Sequence, residues 1–231
     1  MTIADRWHDV CARVAAACER AGRPAAEVTI VAVTKTHAAS VVREALAAGA
    51  RDFGENYAQE LASKQAALGD LAAGQGPAPR WHFIGRLQRN KAKLVAGQVA
   101  LVHAVDSAEL AEELARRAGG VTQSMLLAVN LAGEATKGGV TGETAPEVAR
   151  AIAAVAGGSL DGLMTMPPPS DDPEAGRPHF ERLRALRDRL QDELGRPLPV
   201  LSMGMSHDFE VAITCGATHV RIGTAIFGSR G

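Results

Sequence analysis

The alternation of short β-branched runs with helix-forming segments is the feature that most constrains the fold of this chain. The clearest run spans residues 28–34 and reads Val-Thr-Ile-Val-Ala-Val-Thr, which predicts a strand buried on both faces. A segment of helical character follows each run. Eight runs fit this pattern, at 28–34, 51–54, 81–84, 101–105, 124–130, 160–164, 199–201 and 219–222.

Repeated strand–helix units predict a parallel sheet with helices packed outside it. Eight such units within 231 residues favour a closed (β/α)8 barrel of the TIM type over an open, doubly wound sheet. A further helical pattern over residues 3–21 precedes the first strand. We therefore expect an α/β fold in which residues 1–231 form a single barrel domain with an extra N-terminal helix.

Charge and hydropathy exclude several classes of partner. The 25 Lys and Arg residues nearly balance the 26 Asp and Glu residues, whereas binding to nucleic acid or to an anionic membrane needs a clear basic excess. No apolar run reaches the roughly 18 residues of a membrane span, and the N-terminus lacks the basic-then-apolar layout of a signal peptide. We expect a cytoplasmic protein with no nucleic acid and no membrane as partner.

The cysteines and histidines fit structural roles better than metal or redox roles. Cys11, Cys18 and Cys215 form no CxxC motif and are interpreted as small core residues. His82 and His103 each lie inside an apolar run, where a histidine is more often a hydrogen-bonded core residue than a ligand. Because the sequence also lacks an HxH pair, an HExxH motif and an acidic cluster, we expect no metal site.

Polar side chains follow the predicted strands at the points where each strand ends. Ligands of (β/α)8 barrels bind at the carboxyl ends of the strands, so these positions are the candidate site. The candidates there are Lys35, Glu55, Asn56, His82, Asn130, Ser202, Ser206, Arg221 and Thr224.

The last two strand ends favour a phosphate site. The segment Ser-Met-Gly-Met-Ser at 202–206 follows the seventh predicted strand, and Arg-Ile-Gly-Thr at 221–224 follows the eighth. Both precede helices, so free backbone N–H groups and positive helix ends converge there, and small residues let a ligand approach. The alternative is that these segments are only helix caps and tight turns.

Lys35 at the opposite side of the barrel mouth narrows the chemistry. A lysine amine forms a Schiff base with an aldehyde once it is deprotonated, and a desolvated lysine near other cations favours that form. Pyridoxal 5′-phosphate (PLP) carries both an aldehyde and a phosphate. A sugar-phosphate enzyme, such as a Schiff-base aldolase, is the alternative.

Seven motifs, spread in order over almost the whole chain, carry a family resemblance. They are VAVTK at 31–35, FGENY at 53–57, WHFIG at 81–85, LQRNK at 87–91, GLMTM at 162–166, LSMGMS at 201–206 and VRIGTAIFG at 220–228. By these motifs the chain resembles the YggS/PROSC group of PLP-binding proteins, also called PLP homeostasis proteins. The resemblance implies a barrel similar to the N-terminal domain of alanine racemase and PLP as the cofactor.

The same resemblance implies roles for individual residues. Lys35 corresponds to the Schiff-base lysine, Arg221 to the partner of the pyridine nitrogen, and Asn56 to a residue near the ring hydroxyl. The remaining cofactor contacts that it implies are Ser202, Gly223 and Thr224 at the phosphate, with Met203 and Met205 in the wall of the site.

The implied function is to hold PLP in PLP (vitamin B6) homeostasis, without robust catalysis. Arg221 cannot accept a proton, so it should leave the pyridine nitrogen unprotonated and weaken PLP as an electron sink. Racemases of this fold take a second acid/base residue from another domain of the partner chain, for which the three residues after Gly228 leave no room. The alternative is a weak PLP-dependent amino-acid racemase with His82 or Tyr57 opposite Lys35. Apo PLP-dependent enzymes as recipients, amino acids as ligands of bound PLP, and a monomeric state are expected.

Overall fold

Parallel strands alternate with helices along the chain, as the hydrophobic pattern predicts. The computed structural model describes residues 1–74, 76–133 and 138–228. Within these ranges the strands are β1 (Thr29–Val33), β2 (Asp52–Glu55), β3 (Arg80–Phe83), β4 (Leu101–Val105), β5 (Gln123–Asn130), β6 (Val140–Thr141), β7 (Gly158–Met164), β8 (Val200–Met205) and β9 (His219–Ile222).

The helices occupy the connections between these strands. They are α1 (Ile3–Arg20), α2 (Ala39–Ala47), α3 (Ala58–Ala67), α4 (Gly69–Ala72), α5 (Ala108–Arg117), α6 (Ala145–Ala153), α7 (Arg177–Leu194), α8 (Phe209–Thr214) and α9 (Thr224–Phe227), with short 3-10 helices at Ala25–Glu27, Arg89–Leu94 and Pro173–Gly176. The helical segment that follows β3 is the 3-10 helix at Arg89–Leu94, a form that suits short connecting pieces.

The strands close into a ring. β1 pairs with both β2 and β9, and β4 pairs with β5, so the sheet has no break between its ends. Around the ring the order is β1, β2, β3, β4, β5, β7, β8 and β9, and all of these pairings are parallel. The two-residue strand β6 pairs with β5 outside the ring. The predicted (β/α)8 barrel of the TIM type is confirmed.

The outer helices bury one apolar face each against the barrel. Helix α1, the predicted extra helix, begins with a capping box between Thr2 and Asp5 and buries Trp7, Val10 and Val14 at helical spacing. In α7 the buried residues are Phe180, Leu183, Leu186 and Leu190, which form an apolar stripe at helical spacing.

The burial of the cysteines and the character of the helices also bear on expectations from the sequence. Cys18 and Cys215 are buried and Cys11 is partly buried, in agreement with their interpretation as small core residues. No helix in the described part of the chain is long and apolar enough to cross a membrane.

Candidate functional site

A cavity of about 490 Å³ opens at the carboxyl ends of the barrel strands. This volume lies within the usual range for small-molecule sites. Seven of the predicted site residues line it together, namely Lys35, Asn56, Met205, Ser206, Arg221, Gly223 and Thr224. The other lining residues are Val33, His37, Ile84, Gly85, Arg86, Met166, His207 and Gly228.

Ser202 and Met203 lie elsewhere, although the resemblance places both at the cofactor. Strand β8 continues to Met205, four residues beyond its predicted end, so both residues fall inside the strand and are fully buried. The hydroxyl of Ser202 bonds to Arg221 and His103 in the barrel interior. The residues at the carboxyl end of β8 that line the cavity are Met205 and Ser206.

The turn after β9 gathers hydrogen-bond donors at the cavity wall. The backbone N–H groups of Gly223 and Ala225 both donate to Ser206 Oγ, at 3.2 and 3.3 Å. Two N–H groups that converge on one oxygen atom mark a position suited to an oxygen acceptor. Thr224 lies between them and also lines the cavity, so its hydroxyl adds a donor near the same place.

A cluster of buried polar side chains fixes the segment that carries Lys35. The lysine cluster consists of Thr34, Glu55, Glu60 and Lys64. Lys64 Nζ donates to the carbonyl oxygen of Thr34 at 2.6 Å, to Glu55 Oε1 at 2.6 Å and to Glu60 Oε1 at 2.7 Å. Thr34 Oγ1 donates to the same Glu55 oxygen at 2.6 Å. The residue before Lys35 is therefore held through both its backbone and its side chain.

The residue after Lys35 is held by the same cluster. Thr36 has a φ of 67°, a left-handed conformation that is strained for a β-branched residue by roughly 1–2 kcal/mol. Its backbone N–H donates to Glu60 Oε1 at 2.5 Å. This bond to a carboxylate offsets the strain, so both neighbours of Lys35 are attached to the lysine cluster.

Glu55 is the more deeply buried of the two acids in the lysine cluster. Burial raises its pKa, while hydrogen bonds from Lys64 and Thr34 act in the opposite direction. Its Oε1 atom takes both of those bonds, and its buried Oε2 atom has no hydrogen-bond partner among the described residues.

Arg221 presents a fixed positive charge to the cavity. Its side chain donates from Nη1 to Ser202 Oγ at 2.6 Å and from Nη2 to the carbonyl oxygen of Thr165 at 3.0 Å. Burial lowers the pKa of Arg221 to about 10, which still leaves the guanidinium charged at neutral pH. A charged guanidinium has only donors, so it can face only an acceptor atom of a ligand.

Gly85 allows a close approach of two backbone segments at the cavity wall. A Cβ atom at this position would lie 2.2 Å from the carbonyl oxygen of Asn56. Only glycine fits there, and its place within WHFIG is the sequence signal for it.

The two acid/base candidates of the racemase alternative lie away from Lys35. His82 is buried in the barrel interior, where its ring bonds to Asp52 and His103. Tyr57 is 56% exposed and lines a neighbouring cavity. His82 is thus a hydrogen-bonded core residue, as its apolar surroundings in the sequence predict.

These features define a class of protein, a (β/α)8 barrel with one amine, one guanidinium and a donor-rich turn around a small-molecule cavity at the carboxyl end. The family model described as alanine racemase, N-terminal domain, matches residues 11–231. A pyridoxal phosphate homeostasis protein of Aquifex aeolicus is 46% identical over 100% of this chain and 99% of its own length. One of Pseudomonas aeruginosa is 46% identical over 99% and 96%. The chain belongs to the alanine racemase N-terminal domain family, within which these homeostasis proteins are its relatives.

Solved structures agree with this membership. PipY of Synechococcus elongatus, described with PLP bound, is 34% identical with a TM-score of 0.84 and covers 98% of this chain and 100% of its own. Alanine racemase from Corynebacterium glutamicum has a TM-score of 0.68 over 98% of this chain and 62% of its own. At 18% identity the racemase shows a shared fold alone.

Proposed function

We propose that this protein binds PLP and serves in PLP homeostasis. The observation that carries the proposal is that Lys35, Arg221 and the turn at Gly223 line the same cavity. PLP has three matching features, which are an aldehyde, an aromatic nitrogen that accepts a hydrogen bond, and a phosphate. The names of the relatives and the PLP bound to PipY support the same ligand.

Each lining residue takes a role from its chemistry. Bound PLP supplies an aldehyde that condenses reversibly with a primary amine, and Lys35 supplies that amine. Arg221 would donate to the ring nitrogen of bound PLP and keep it unprotonated, and Asn56 would lie near the ring hydroxyl. Thr224 and the N–H group of Gly223 would hold the phosphate.

Ser206 takes the phosphate role that the resemblance implies for Ser202. Its hydroxyl already lies where the N–H groups of Gly223 and Ala225 converge. Ser202 supports Arg221 from behind instead. Met205 lines the cavity where the resemblance also implies Met203.

We infer a carrier or regulator rather than an enzyme. A charged arginine at the ring nitrogen weakens carbanion stabilisation. His82 and Tyr57 lie outside the cavity that Lys35 lines, which supports a carrier over a racemase that uses either residue. In this role residues 1–231 act as one PLP-binding domain, monomeric and cytoplasmic, which passes PLP to apo PLP-dependent enzymes and admits amino acids to the bound cofactor.

The Lys35→Ala variant tests the proposal. We expect wild-type protein mixed with PLP to show the visible absorption band of lysine-bound PLP, and Lys35→Ala to lose it. Lys93→Ala, which removes an exposed lysine, is the matched control and keeps the band. Borohydride reduction followed by peptide mass spectrometry locates the pyridoxyl group on Lys35.

Two results would contradict the proposal. An unchanged band in Lys35→Ala, or a pyridoxyl group found only on surface lysines, removes the site. Fast, protein-dependent deuterium exchange at the α-carbon of added amino acids removes the carrier interpretation and favours the racemase alternative.

A further inference from the structure

A line of buried polar side chains crosses the barrel interior from the cavity towards the amino end of the sheet. Its members come from five neighbouring or facing strands of the barrel, so they meet only when the ring is closed. This histidine chain consists of Arg221, Ser202, His103, His82 and Asp52.

Every neighbouring pair in the histidine chain lies at hydrogen-bond distance. Arg221 Nη1 lies 2.6 Å from Ser202 Oγ, which lies 2.8 Å from His103 Nδ1. His103 Nε2 lies 2.9 Å from His82 Nδ1. His82 Nε2 lies 2.8 Å from Asp52 Oδ1. The line is therefore continuous over four hydrogen bonds.

The Asp52 end of the histidine chain can only accept. Burial opposes ionisation of Asp52, but hydrogen bonds from His82 and Arg80 outweigh it and lower the pKa of the carboxyl group. An ionised carboxylate has no proton to donate, so His82 Nε2 donates to it. His82 Nδ1 faces His103 Nε2 and is placed to accept from it.

The Arg221 end can only donate. Ser202 Oγ accepts from Arg221 and can pass its own proton to His103 Nδ1. Burial lowers the pKa of His103 well below its ordinary value, so its ring is neutral. Its single proton then lies on Nε2, where it donates to His82. In this arrangement each bond of the histidine chain has one donor and one acceptor.

We propose that Ser202 and His103 are positioning residues that fix the guanidinium of Arg221 for its contact with the ring nitrogen of PLP. The inference rests on the PLP binding proposed above. One nitrogen of the guanidinium is held by Ser202 and a second by the carbonyl oxygen of Thr165, so the orientation of its plane is set before a ligand arrives. A ligand that meets a preorganised donor binds more tightly.

Stability or metal binding accounts less well for the histidine chain. Apolar side chains fill a barrel interior without needing partners, whereas each buried polar group must be matched. In the ranges that the structure describes, no group of three or more His, Cys, Asp or Glu side chains is arranged to hold a metal ion.

The Ser202→Ala variant separates positioning from a general structural role when two ligands are compared. PLP has the ring nitrogen, and its 1-deaza analogue has carbon in that place. We expect Ser202→Ala to weaken PLP binding about tenfold, the effect of one lost hydrogen bond, and to leave binding of the deaza analogue within twofold of wild type. Spectroscopic titration of the purified protein measures both.

Ser159→Ala is the matched control for this variant. Ser159 is also a strand serine that accepts from an arginine, Arg196, and donates to a side chain, Asp161, but it lies at the amino end of β7. We expect this variant to bind both ligands as wild type does. Equal losses for the two ligands in Ser202→Ala, or wild-type affinity for PLP, overturn the proposal.

A measurement without ligand keeps the inference separable from the proposed function. In ¹⁵N-histidine NMR spectra of the wild-type protein, His82 and His103 should both carry their proton on Nε2. A proton on Nδ1 of His103 reverses the chain and overturns the inference, even if Ser202→Ala fails to fold. Absence of PLP binding by the wild-type protein refutes the proposed function, and the tautomers still decide whether the chain runs as described.

Discussion

The lysine cluster and the histidine chain are two buried polar groups that adjoin the same cavity and hold different parts of it by different chemistry. The lysine cluster places an ammonium between two carboxylates and holds the backbone on both sides of Lys35. The histidine chain holds the side chain of Arg221 through a hydroxyl and two imidazole rings.

The difference shows how distance decides the chemistry of a buried support. The lysine cluster acts over one or two bonds, so opposite charges stay in contact and compensate each other. The histidine chain spans the barrel, and a charge on His103, in its middle, would be strongly desolvated. A neutral His103 avoids that penalty. Loss of one ion should therefore destabilise the protein more than loss of one neutral link.

The largest effect is expected for Lys64→Met, which removes the cation that bonds to Glu55. A buried carboxylate left without its partner destabilises a protein by about 3–5 kcal/mol. Urea unfolding at neutral pH should show a loss of this size, whereas Lys93→Met, at an exposed position, should change the free energy of unfolding by less than about 0.5 kcal/mol.

A second variant checks the origin of that loss. Glu55→Gln in the Lys64→Met background removes the uncompensated charge and should restore part of the stability. If Lys64→Met lowers the free energy of unfolding by less than about 1 kcal/mol, the lysine cluster contributes no more than a surface ion pair does. The proposed difference in stability between the lysine cluster and the histidine chain would then be wrong.

The next effect concerns acid. Burial lowers the pKa of His219, whose ring lies 5.9 Å from His82 and 6.0 Å from His103, to about 4. In the unfolded chain a histidine has a pKa of about 6.5, so between these values the unfolded state binds the proton more strongly. This contribution to stability is complete above about pH 6.5 and is lost as pH falls towards 4. It amounts to about 3 kcal/mol at most, at 1.4 kcal/mol per pKa unit.

Glu55 should act with the opposite sign in acid. Its pKa is raised in the folded state, so protonation favours folding, and stability rises as pH falls through the folded pKa towards the ordinary value for glutamate.

Unfolding experiments from pH 7 to pH 4 test the contribution of His219. The free energy of unfolding should decline less steeply with falling pH in His219→Gln than in wild type. His8→Gln, at an exposed position, should follow wild type. An equally steep decline in His219→Gln would exclude the buried histidine as its cause.

Much of the barrel is predictable from the sequence because most of its strands correspond to short apolar runs with a clear pattern. The run at 28–34 predicts β1, and the spacing from Phe180 to Leu190 predicts the buried face of α7. The strand β6 has two residues at Val140–Thr141, too few for any periodicity to be visible.

The site is predictable where it depends on strand ends and not where it depends on exact strand length. Lys35 and Gly223 follow strands whose ends the pattern marks well. Because β8 extends to Met205, Ser202 lies inside the strand, where its hydroxyl bonds to Arg221, and Ser206 lies just beyond the strand end and lines the cavity. The hydrogen bond between His82 and His103 depends on the register between β3 and β4, which cannot be predicted from a single sequence.

The smallest effect is expected at the far end of the histidine chain. The side chain of Arg80 is 59% exposed and pairs with Asp52, so Arg80→Gln removes a charge that solvent already screens. Unfolding should change by less than about 1 kcal/mol, as in Arg43→Gln, which breaks the exposed pair with Asp70. PLP affinity should stay within twofold, because Asp52 still accepts from His82. A tenfold weaker affinity in Arg80→Gln alone would mean that the Arg80–Asp52 ion pair influences PLP binding through the histidine chain. The histidine chain would then depend on charge as the lysine cluster does.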